Sequence, residues 1–365
     1  MNAHHDIAII GAGMAGASLA AEIGEQASVV VLEAEDTPGY HATGRSAAFW
    51  EECYGGPQLV PLTLASGDYL RERGFLHQRG ALYIGRSADG AALDAFMARF
   101  AGTGATIERL DRRALAEKLP GLRDHWTGAV WEPACADIDV AALHADYLSA
   151  ARGSGAAITC RARVTQLAYS GDWHIALADG RTLRAGTLVN AAGAWADDVA
   201  AMAGLDPLGI TPFRRTVAQL RCNPPPPPGA PLVLDINGGF YFKPESGGVW
   251  LSPHDETPST ACDAAPEELD VATAIDRFQG VVDWDVRRVE RKWAGLRSFA
   301  PDRLPIYGRD PVQPAFFWFA GQGGFGIQTA PAAARLGAQL LLGRPRDAMT
   351  NGIDPARYAP DRFTA

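Results

Sequence analysis

A glycine-rich stretch after the first apolar segment is the feature that most limits the folds open to this chain of 365 residues. Residues 6–10 (DIAII) form an apolar run typical of a buried parallel strand, and residues 11–16 (GAGMAG) follow with G-x-G-x-x-G spacing. A helix of small residues comes next, then a second apolar strand over residues 29–32, ending at Glu33. In such a unit the backbone and the helix N-terminus approach a pyrophosphate, and the acidic residue accepts from a ribose hydroxyl. The pattern predicts a bound dinucleotide; the alternative is a glycine-rich turn on an ordinary doubly wound sheet.

The overall composition excludes several classes of partner. A net charge of -9 argues against nucleic acid and against an anionic membrane surface, and no apolar run is long enough to span a bilayer. The first strand begins so near residue 1 that we expect no signal peptide. The five cysteines are scattered, without a C-x-x-C pair, which indicates reduced thiols rather than a disulfide frame or a metal site. We therefore expect a soluble cytoplasmic protein that binds small molecules.

Two distant segments decide which dinucleotide is expected. Residues 187–200 (TLVNAAGAWADDVA) and residues 316–341 again run from an apolar strand through glycine into a helix, the last of which starts near Thr329. Three such junctions spread along the chain favour one long cofactor held at several points, and so FAD over a nicotinamide dinucleotide. The N-terminus of the last helix would then stabilise negative charge that develops on a reduced flavin ring.

Five segments in the same order carry a family resemblance over nearly the whole chain. They are residues 40–48 (YHATGRSAA), 188–197 (LVNAAGAWAD), 240–244 (FYFKP), 293–302 (WAGLRSFAPD) and 321–329 (GQGGFGIQT). Together they resemble the D-amino-acid oxidase superfamily of FAD-dependent enzymes, which includes glycine oxidase, sarcosine oxidase and the D-amino-acid dehydrogenases. Within it the chain is most similar to the bacterial D-arginine dehydrogenases. Members with covalent flavin use a cysteine near residues 294–302, where this chain has none, so the resemblance implies non-covalent FAD.

The resemblance also implies which residues bind the cofactor. Thr43 and Ser46 would donate to flavin or phosphate oxygens, and Arg45 would neutralise the pyrophosphate unless it is a solvated loop cation. His41 is expected to position the loop rather than to catalyse. The full set of expected cofactor-binding residues is Gly11, Gly13, Ala15, Gly16, Glu33, Thr43, Gly44, Arg45, Ser46, Ala47, Val164, Ala192, Gly193, Trp195, Gly295, Gly323, Gly324, Gly326, Ile327, Gln328 and Thr329.

The substrate site is expected to bind a carboxylate. Arginine suits this task because its planar fork binds a carboxylate through two hydrogen bonds and stays charged. The motif match nominates Arg215 and Arg297, with Tyr241 as a phenol donor, Tyr54 closing the pocket, and Gln328 completing the predicted catalytic set. The neighbouring Arg214 should point to the opposite face of its strand. The alternatives are that these arginines lie on a solvated face and that Tyr54 is a core or surface aromatic.

Two departures from the D-arginine enzymes bear on the substrate. Phe49 stands where they have an active-site histidine, and Ala81 stands where they have a carboxylate that meets the substrate guanidinium. A buried guanidinium without a counter-ion costs several kcal/mol, so D-arginine and D-lysine are expected to be poor substrates unless Glu51 or Glu52 replaces the charge. Small or apolar D-amino acids are expected to be preferred.

The expected reaction is oxidative deamination of a D-amino acid. A hydride passes from Cα to flavin N5, and the imino acid is hydrolysed to a 2-oxo acid and ammonia. Alternatives are an oxidase or dehydrogenase of glycine, sarcosine or a cyclic D-proline-type amine, an electron-transfer flavin subunit of a hetero-oligomer, and a nicotinamide dehydrogenase. The electron acceptor stays open between oxygen, a quinone and another carrier.

The predicted fold is α/β: a Rossmann-like FAD-binding domain (residues 1–50, 141–205 and 301–365) interleaved with a substrate domain (residues 51–140 and 206–300). The substrate domain is expected to hold an antiparallel sheet with one wet face. Predicted strands in it are residues 81–85, 209–222, 231–235, 239–243, 249–252 and 286–299, and predicted helices are residues 58–73, 89–100 and 112–119. The proline run in residues 223–229 predicts an exposed connector, with partner binding as the alternative.

Overall fold

The computed structural model describes residues 3–227, 229–245 and 247–363. In this part of the chain the strands are β1 (Ala3–Ile10), β2 (Val29–Leu32), β3 (Phe49–Trp50), β4 (Leu76–Gln78), β5 (Ala81–Arg86), β6 (Glu108–Asp111), β7 (Trp126–Glu132), β8 (Ala136–Ile138), β9 (Ala157–Thr159), β10 (Val164–Tyr169), β11 (Trp173–Leu177), β12 (Thr182–Asn190), β13 (Thr211–Asn223), β14 (Leu232–Asp235), β15 (Tyr241–Glu245), β16 (Gly248–Ser252), β17 (Thr257–Pro258), β18 (Asp285–Phe299), β19 (Ile306–Arg309), β20 (Phe316–Ala320) and β21 (Gln322–Gly323). The helices are α1 (Met14–Ile23), α2 (Val60–Glu72), α3 (Gly90–Phe100), α4 (Arg112–Lys118), α5 (Val140–Gly153), α6 (Ala196–Met202), α7 (Glu268–Gln279) and α8 (Ala330–Leu342).

The first sheet is built around β1. β2 and β12 pair with β1 in parallel on its two sides, β9 extends the sheet beyond β2, and β20 pairs in parallel with β12. β10, β11 and β19 add antiparallel pairings to this parallel core. All four residues of β2 are buried, as expected for a parallel strand covered on both faces, and α1 packs against α5 and α8. Since parallel strands end at the same edge, the glycine-rich turns after β1, β12 and β20 meet there.

The second sheet has the order β21-β18-β13-β16-β15-β14-β5-β7-β6, with β17 also paired to β13. It is antiparallel except for the parallel pair of β14 and β5. The long strands β13 and β18 run side by side, with Arg215 opposite Gly295 and Phe213 opposite Arg297. Paired residues, and residues two apart on a strand, share a face, so Arg215 and Arg297 both project from the same side. A third sheet, in the order β3-β8-β4, packs nearby.

The two large sheets alternate along the chain. The first takes its strands from residues 3–32, 157–190 and 306–320, and the second takes its strands from residues 81–132, 211–299 and 322–323. The predicted α/β fold class is confirmed, and the predicted helices and strands match the observed ones with small shifts at their ends. No helix in the described ranges is long and apolar enough to cross a membrane.

The expectation of one wet face holds at the outer end of β13, where Arg221 and Asn223 are exposed and Leu220 and Cys222 are buried, but not at the centre of the second sheet. Its centre has no wet face, because Thr216, Val217 and Ala218 are all buried: α7 covers the side of Ala218, and the other side meets a cleft described below. Helix α7 itself was not predicted. In the proline run, Asn223, Pro224, Pro225 and Gly229 are exposed, as predicted for a connector, whereas Pro226 is buried; position 228 lies outside the described residues.

Candidate active site

A cleft of about 360 Å³ runs from the ends of β1 and β2 to the face of β13 and β18. It is therefore walled by both large sheets, which is where ligand sites are often found. Most of the predicted cofactor residues line it: Gly11, Gly13, Ala15, Glu33, Thr43, Arg45, Ser46, Ala47, Val164, Ala192, Gly193, Trp195, Gly295, Gly323, Gly324, Gly326 and Ile327.

The start of α1 forms one end of this cleft. A Cβ on Gly16 would lie 1.9 Å from the carbonyl oxygen of Gly11, so only glycine allows the helix to approach the turn this closely. The hydroxyl oxygen of Thr43 accepts a hydrogen bond from the N–H of Met14 over 2.9 Å. The hydroxyl proton of Thr43 is then free to donate into the cleft. A helix N-terminus with an added hydroxyl donor suits a phosphate.

Glu33 lies at the end of β2, and its contacts show whether this end of the cleft fits a nucleotide. The residue is buried, and its two carboxylate oxygens accept from the N–H groups of Ala12 (2.9 Å) and Glu35 (3.0 Å). Each oxygen keeps a lone pair for another donor. A carboxylate held rigidly beside a phosphate-binding turn matches the ribose hydroxyls of a dinucleotide, so the residues present fit the predicted cofactor.

Arg45 has different contacts from the predicted ones. Its guanidinium pairs with Asp263 at 2.5 Å and donates to the carbonyl oxygens of Ala264 (3.0 Å) and Ala294 (3.2 Å). The hydroxyl of Tyr40 donates to the same Asp263 carboxylate. The guanidinium is thus committed to protein partners. Through these contacts Arg45 fastens the loop of residues 40–47 to the second sheet, while it also lines the cleft, and its role toward a pyrophosphate stays a prediction.

Four predicted residues stand behind the cleft wall rather than on it, namely Gly16, Gly44, Gln328 and Thr329, whereas Tyr54 adjoins the wall through its contact with Arg297. Gln328 is buried and bonds to the 51–54 backbone, and the Thr329 hydroxyl donates to the carbonyl oxygen of Phe325. Conversely, Cys262 and Ala264 line the cleft and were not predicted. Their segment carries no motif, and long-range contacts hold it at this place, including the bonds of Asp263 with Arg45 and Tyr40.

Arg297 marks the other end of the cleft. Its Nη1 donates to the hydroxyl of Tyr54 over 2.7 Å, and in the described ranges no carboxylate lies within 4.0 Å of the guanidinium. Burial acts to lower the pKa of Arg297, but Tyr54, Tyr241 and the more distant carboxylates of Asp255 and Glu256 raise it above the ordinary value. The group is therefore a charged cation without a close counter-ion, facing a cleft.

Gly324 packs directly against this pair. A Cβ there would lie 2.1 Å from the Tyr54 hydroxyl and 3.0 Å from Nη1 of Arg297. The turn between β20 and α8 therefore sets how far the guanidinium and the phenol project. The position needs glycine because of this contact.

Arg215 lies on the same face as Arg297 but is more enclosed, with 4% of its surface exposed. Its Nε donates to the carbonyl oxygen of Asp255 (2.7 Å) and its Nη2 to Glu256 (3.2 Å), while Nη1 is buried without a partner in the described residues. Burial and the like charge of Arg297 lower the pKa of Arg215 to about 10. Arg214 points the other way, to Glu267 and Asp270, as predicted.

Tyr241 lines the cleft, and two further rings lie against it. The His254 ring is 5.7 Å from it, and burial, followed by the charges of Arg215 and Arg297, lowers the pKa of His254 to about 3. His254 is therefore neutral near pH 7; the sequence had no signal for it. The Phe49 ring meets Tyr241 edge-on at 6.3 Å.

The carboxylates proposed to replace the charge missing at Ala81 do not reach the cleft wall. Ala81 is fully buried in β5, and the Glu52 side chain accepts from the N–H of Thr106. Glu51 is buried, and burial, followed by the neighbouring charge of Glu132, raises its pKa well above the ordinary value. The carboxylates that do line the cleft are Glu33, Glu35 and Asp198, all at the nucleotide end.

Comparison with known proteins shows which protein family this chain belongs to. The protein-family model described as "FAD dependent oxidoreductase" (DAO) matches residues 6–340 of this chain. The chain belongs to this family. Its cofactor is FAD rather than a nicotinamide dinucleotide, and it is an oxidoreductase that acts on a carbon–nitrogen bond of a small-molecule amine.

Individual members of the DAO family show the likeness in detail. The chain is 26% identical to glycine oxidase of Geobacillus kaustophilus over 93% of this chain and 94% of that one, and the crystal structure of that enzyme aligns with a TM-score of 0.85. Iminodiacetate oxidase from Chelativorans sp. BNC1 aligns at 25% identity with a TM-score of 0.78, over 97% and 98% of the two chains. Human mitochondrial dimethylglycine dehydrogenase is 26% identical over 96% of this chain but only 44% of its own length. These relatives give no support to the predicted likeness to D-arginine dehydrogenase.

Proposed function

We propose that this DAO-family chain catalyses the oxidative deamination of a small amino acid with a free carboxylate: glycine or a small apolar D-amino acid. The observation that carries the proposal is Arg297, a half-buried cation that faces the cleft with the Tyr54 hydroxyl as its hydrogen-bond partner. A substrate carboxylate would supply the missing counter-ion, and the guanidinium fork fits its two oxygens. Because Tyr54 accepts from Arg297, its own proton can donate to the same carboxylate.

The wall around Arg297 favours a small and uncharged substrate side chain. Tyr241 and Val217 line this end, whereas Phe49 and Ala81 lie outside the wall. Two guanidinium groups project from the same face, and no carboxylate of the described part of the chain lines this end, so a cationic side chain would be repelled. The resemblance to glycine oxidase also supports a small substrate.

The residues that would hold FAD lie along the rest of the cleft. The turn of residues 11–16, Thr43 and Glu33 would hold the pyrophosphate and ribose, and residues 45–47 and 323–327 would adjoin the ring. When bound, FAD supplies the two-electron acceptor for the substrate Cα–H bond. The contribution of this chain is to fix the carboxylate and so orient Cα. His254, with its pKa near 3, is too weak a base to take part.

A second candidate is oxidation of an N-substituted glycine such as sarcosine or iminodiacetate. The likeness to iminodiacetate oxidase over nearly the full length of both chains favours it. Arg215 carries a second guanidinium on the same sheet face as Arg297. This group would attract the second carboxylate of such a substrate.

Anaerobic mixing of the FAD-loaded protein with single compounds tests both candidates. The panel is glycine, D-alanine, L-alanine, sarcosine, iminodiacetate and D-arginine, and the loss of flavin absorbance reports reduction. Reduction by glycine or D-alanine but not L-alanine is expected. Reduction by the N-substituted glycines alone would favour the second candidate, and no reduction by any member would contradict both. Turnover of the purified chain with an artificial acceptor would exclude an electron-transfer subunit.

A further inference from the structure

Glu132 is a buried carboxylate that the proposed reaction does not use. It ends β7, has 0% of its surface exposed, and lies directly opposite Ala81 of β5. Paired residues share a face, so the small side chain of Ala81 leaves room for the longer one of Glu132. Val130, two residues before it on β7, and Tyr83, which is paired with Val130, belong to an apolar cluster, and the buried Glu51 carboxyl group also lies near. A carboxylate kept in such a place needs a reason, because burying it is costly.

The two oxygens of Glu132 both bond to one short segment of backbone. Oε1 accepts from the N–H of Glu52 (2.6 Å) and Oε2 accepts from the N–H of Cys53 (3.2 Å). We call residues 51–54 the tyrosine segment, since they end at Tyr54. In apolar surroundings these two N–H groups would be left without an acceptor if the carboxylate were removed, which is unfavourable.

Gln328 secures the same segment from the opposite side. Its Oε1 accepts from the N–H of Glu51 (3.2 Å), and its Nε2 donates to the carbonyl oxygen of Tyr54 (3.4 Å). The N–H of Tyr54 bonds within the segment, to the carbonyl oxygen of Glu51. Every backbone N–H from residue 51 to residue 54 is therefore bonded, and Glu132 takes two of the four.

The tyrosine segment sets the position of the Tyr54 hydroxyl, which accepts from Arg297 over 2.7 Å. We infer that Glu132 is a positioning residue for substrate binding: by clamping the backbone of Glu52 and Cys53 it places the Tyr54 phenol against Arg297. The inference rests on the proposed function, in which this pair binds the substrate carboxylate. Glu132 touches neither substrate nor cofactor and acts through Tyr54.

A double-mutant cycle on the FAD-loaded protein tests this inference, because residues that act through one another lose binding non-additively. The probe is glycolate, a carboxylate without an amine, and its Kd is read from the change in flavin absorbance. Glu132→Gln puts an amide donor against one of the two N–H groups, and Tyr54→Phe removes the phenol. Each is expected to raise the glycolate Kd about tenfold, and the double variant no more than either single one. KM for the best substrate should rise by the same factor, with kcat changed less.

The matched control is Asp310→Asn. It changes another buried carboxyl group that accepts from two backbone N–H groups, those of Val312 and Gln313, but that group follows β19 of the first sheet and has no bond to the tyrosine segment. Its glycolate Kd should stay within about twofold of the wild-type value. If Glu132→Gln does not give FAD-loaded protein, Glu132→Asp, which keeps the carboxyl group but shortens the reach, takes its place in the same cycle.

The outcomes separate this inference from the function on which it rests. If Tyr54→Phe weakens glycolate binding but neither Glu132 variant does, or if the two losses multiply in the double variant, Glu132 does not act through Tyr54. If wild-type protein does not bind glycolate at all, the proposed carboxylate site is wrong, and the inference is wrong with it.

Discussion

Arg297 and Tyr54 are 243 residues apart in the chain, yet the guanidinium of one donates to the hydroxyl of the other over 2.7 Å. β18 carries Arg297, and Tyr54 follows β3 of the third sheet. The pair joins two sheets at the end of the cleft opposite the nucleotide-binding turn. Its two groups provide a cation and a neutral donor side by side, which is the pairing that a small carboxylate needs.

Replacement of Arg297 by lysine should weaken catalysis strongly. Lysine keeps the charge but loses the fork that bonds a carboxylate at two points. We expect kcat/KM to fall about 100-fold, or about 2.7 kcal/mol, mainly through KM. Steady-state kinetics with the best substrate of the panel measures this. The control is Arg214→Lys, whose side chain points to α7; a comparable loss there would contradict a specific role for Arg297.

Gly324→Ala should damage the substrate end and leave the nucleotide end intact. The added Cβ would stand 2.1 Å from the Tyr54 hydroxyl, so the phenol or the β20–α8 turn must move. We expect kcat/KM to fall at least about tenfold while FAD is retained. Gly352→Ala, with no atom within 4 Å of the new Cβ, is the control and should behave as wild type. Equal kinetics for the two variants would refute the close packing described for Gly324.

Stability should fall as pH rises through the neutral range because of two buried acids. Burial raises the pKa of Glu132 from the ordinary 4.5 to about 8, and it raises the pKa of Glu51 as well. The folded state then binds protons that the unfolded state has released, so the free energy of unfolding decreases with rising pH between these values.

Glu132→Gln should flatten this pH dependence. Thermal unfolding of the FAD-loaded protein at pH 6 and pH 8 would measure the slope in both forms. Glu51, Glu52, Cys53 and Cys135 face the same site and stay in the variant, so a residual slope is expected. Parallel curves for wild type and variant would show that Glu132 does not titrate in this range.

FAD should leave the denatured protein freely. Cys262 is the cysteine that lines the cleft, while the segment of residues 294–302 holds none. Acid precipitation of the yellow protein is expected to leave all flavin absorbance in the supernatant, and Cys262→Ser should behave in the same way. Flavin that stays with the wild-type pellet but is released from the serine variant would reveal a covalent link.

D-arginine and D-lysine should reduce the flavin far more slowly than D-alanine. Among the described residues, the carboxylates that line the cleft lie at the nucleotide end, and Arg297 and Arg215 repel a second cation at the substrate end. We expect reduction rates at least about 100-fold lower, corresponding to an unpaired charge cost of about 3 kcal/mol. Stopped-flow absorbance measures the rates, and rapid bleaching by D-arginine would overturn the assignment.

Local patterns predicted the parts of the fold that depend on near neighbours. The run of β1, the turn of residues 11–16, β2 and Glu33 form a unit of fewer than 35 residues, so spacing alone predicts it. The order of motifs also predicted the α/β class and FAD. The division into an FAD-binding and a substrate domain stays a prediction, as do the roles of the individual site residues.

The features that the sequence did not reveal depend on long-range contacts. Arg45 lies in the predicted loop, but its partner Asp263 is 218 residues away, in a segment without a motif. The alternating pattern of β13 suggested a wet face along the whole strand, because the sequence does not show that Arg215 and Val217 on that face line a cleft. The clamp of Glu132 on the tyrosine segment was equally hidden, because 79 to 80 residues separate the bonded groups.

The sequence by itself therefore determined the elements, the nucleotide-binding turn and the kind of cofactor, since these follow from periodicity and from residues close in the chain. Only the tertiary structure decided which arginine keeps a free charge, which carboxylates are buried, and what holds Tyr54 in place. Charge and hydrogen bonding depend on the distance between atoms and on access to water, and both are established only when remote segments pack together.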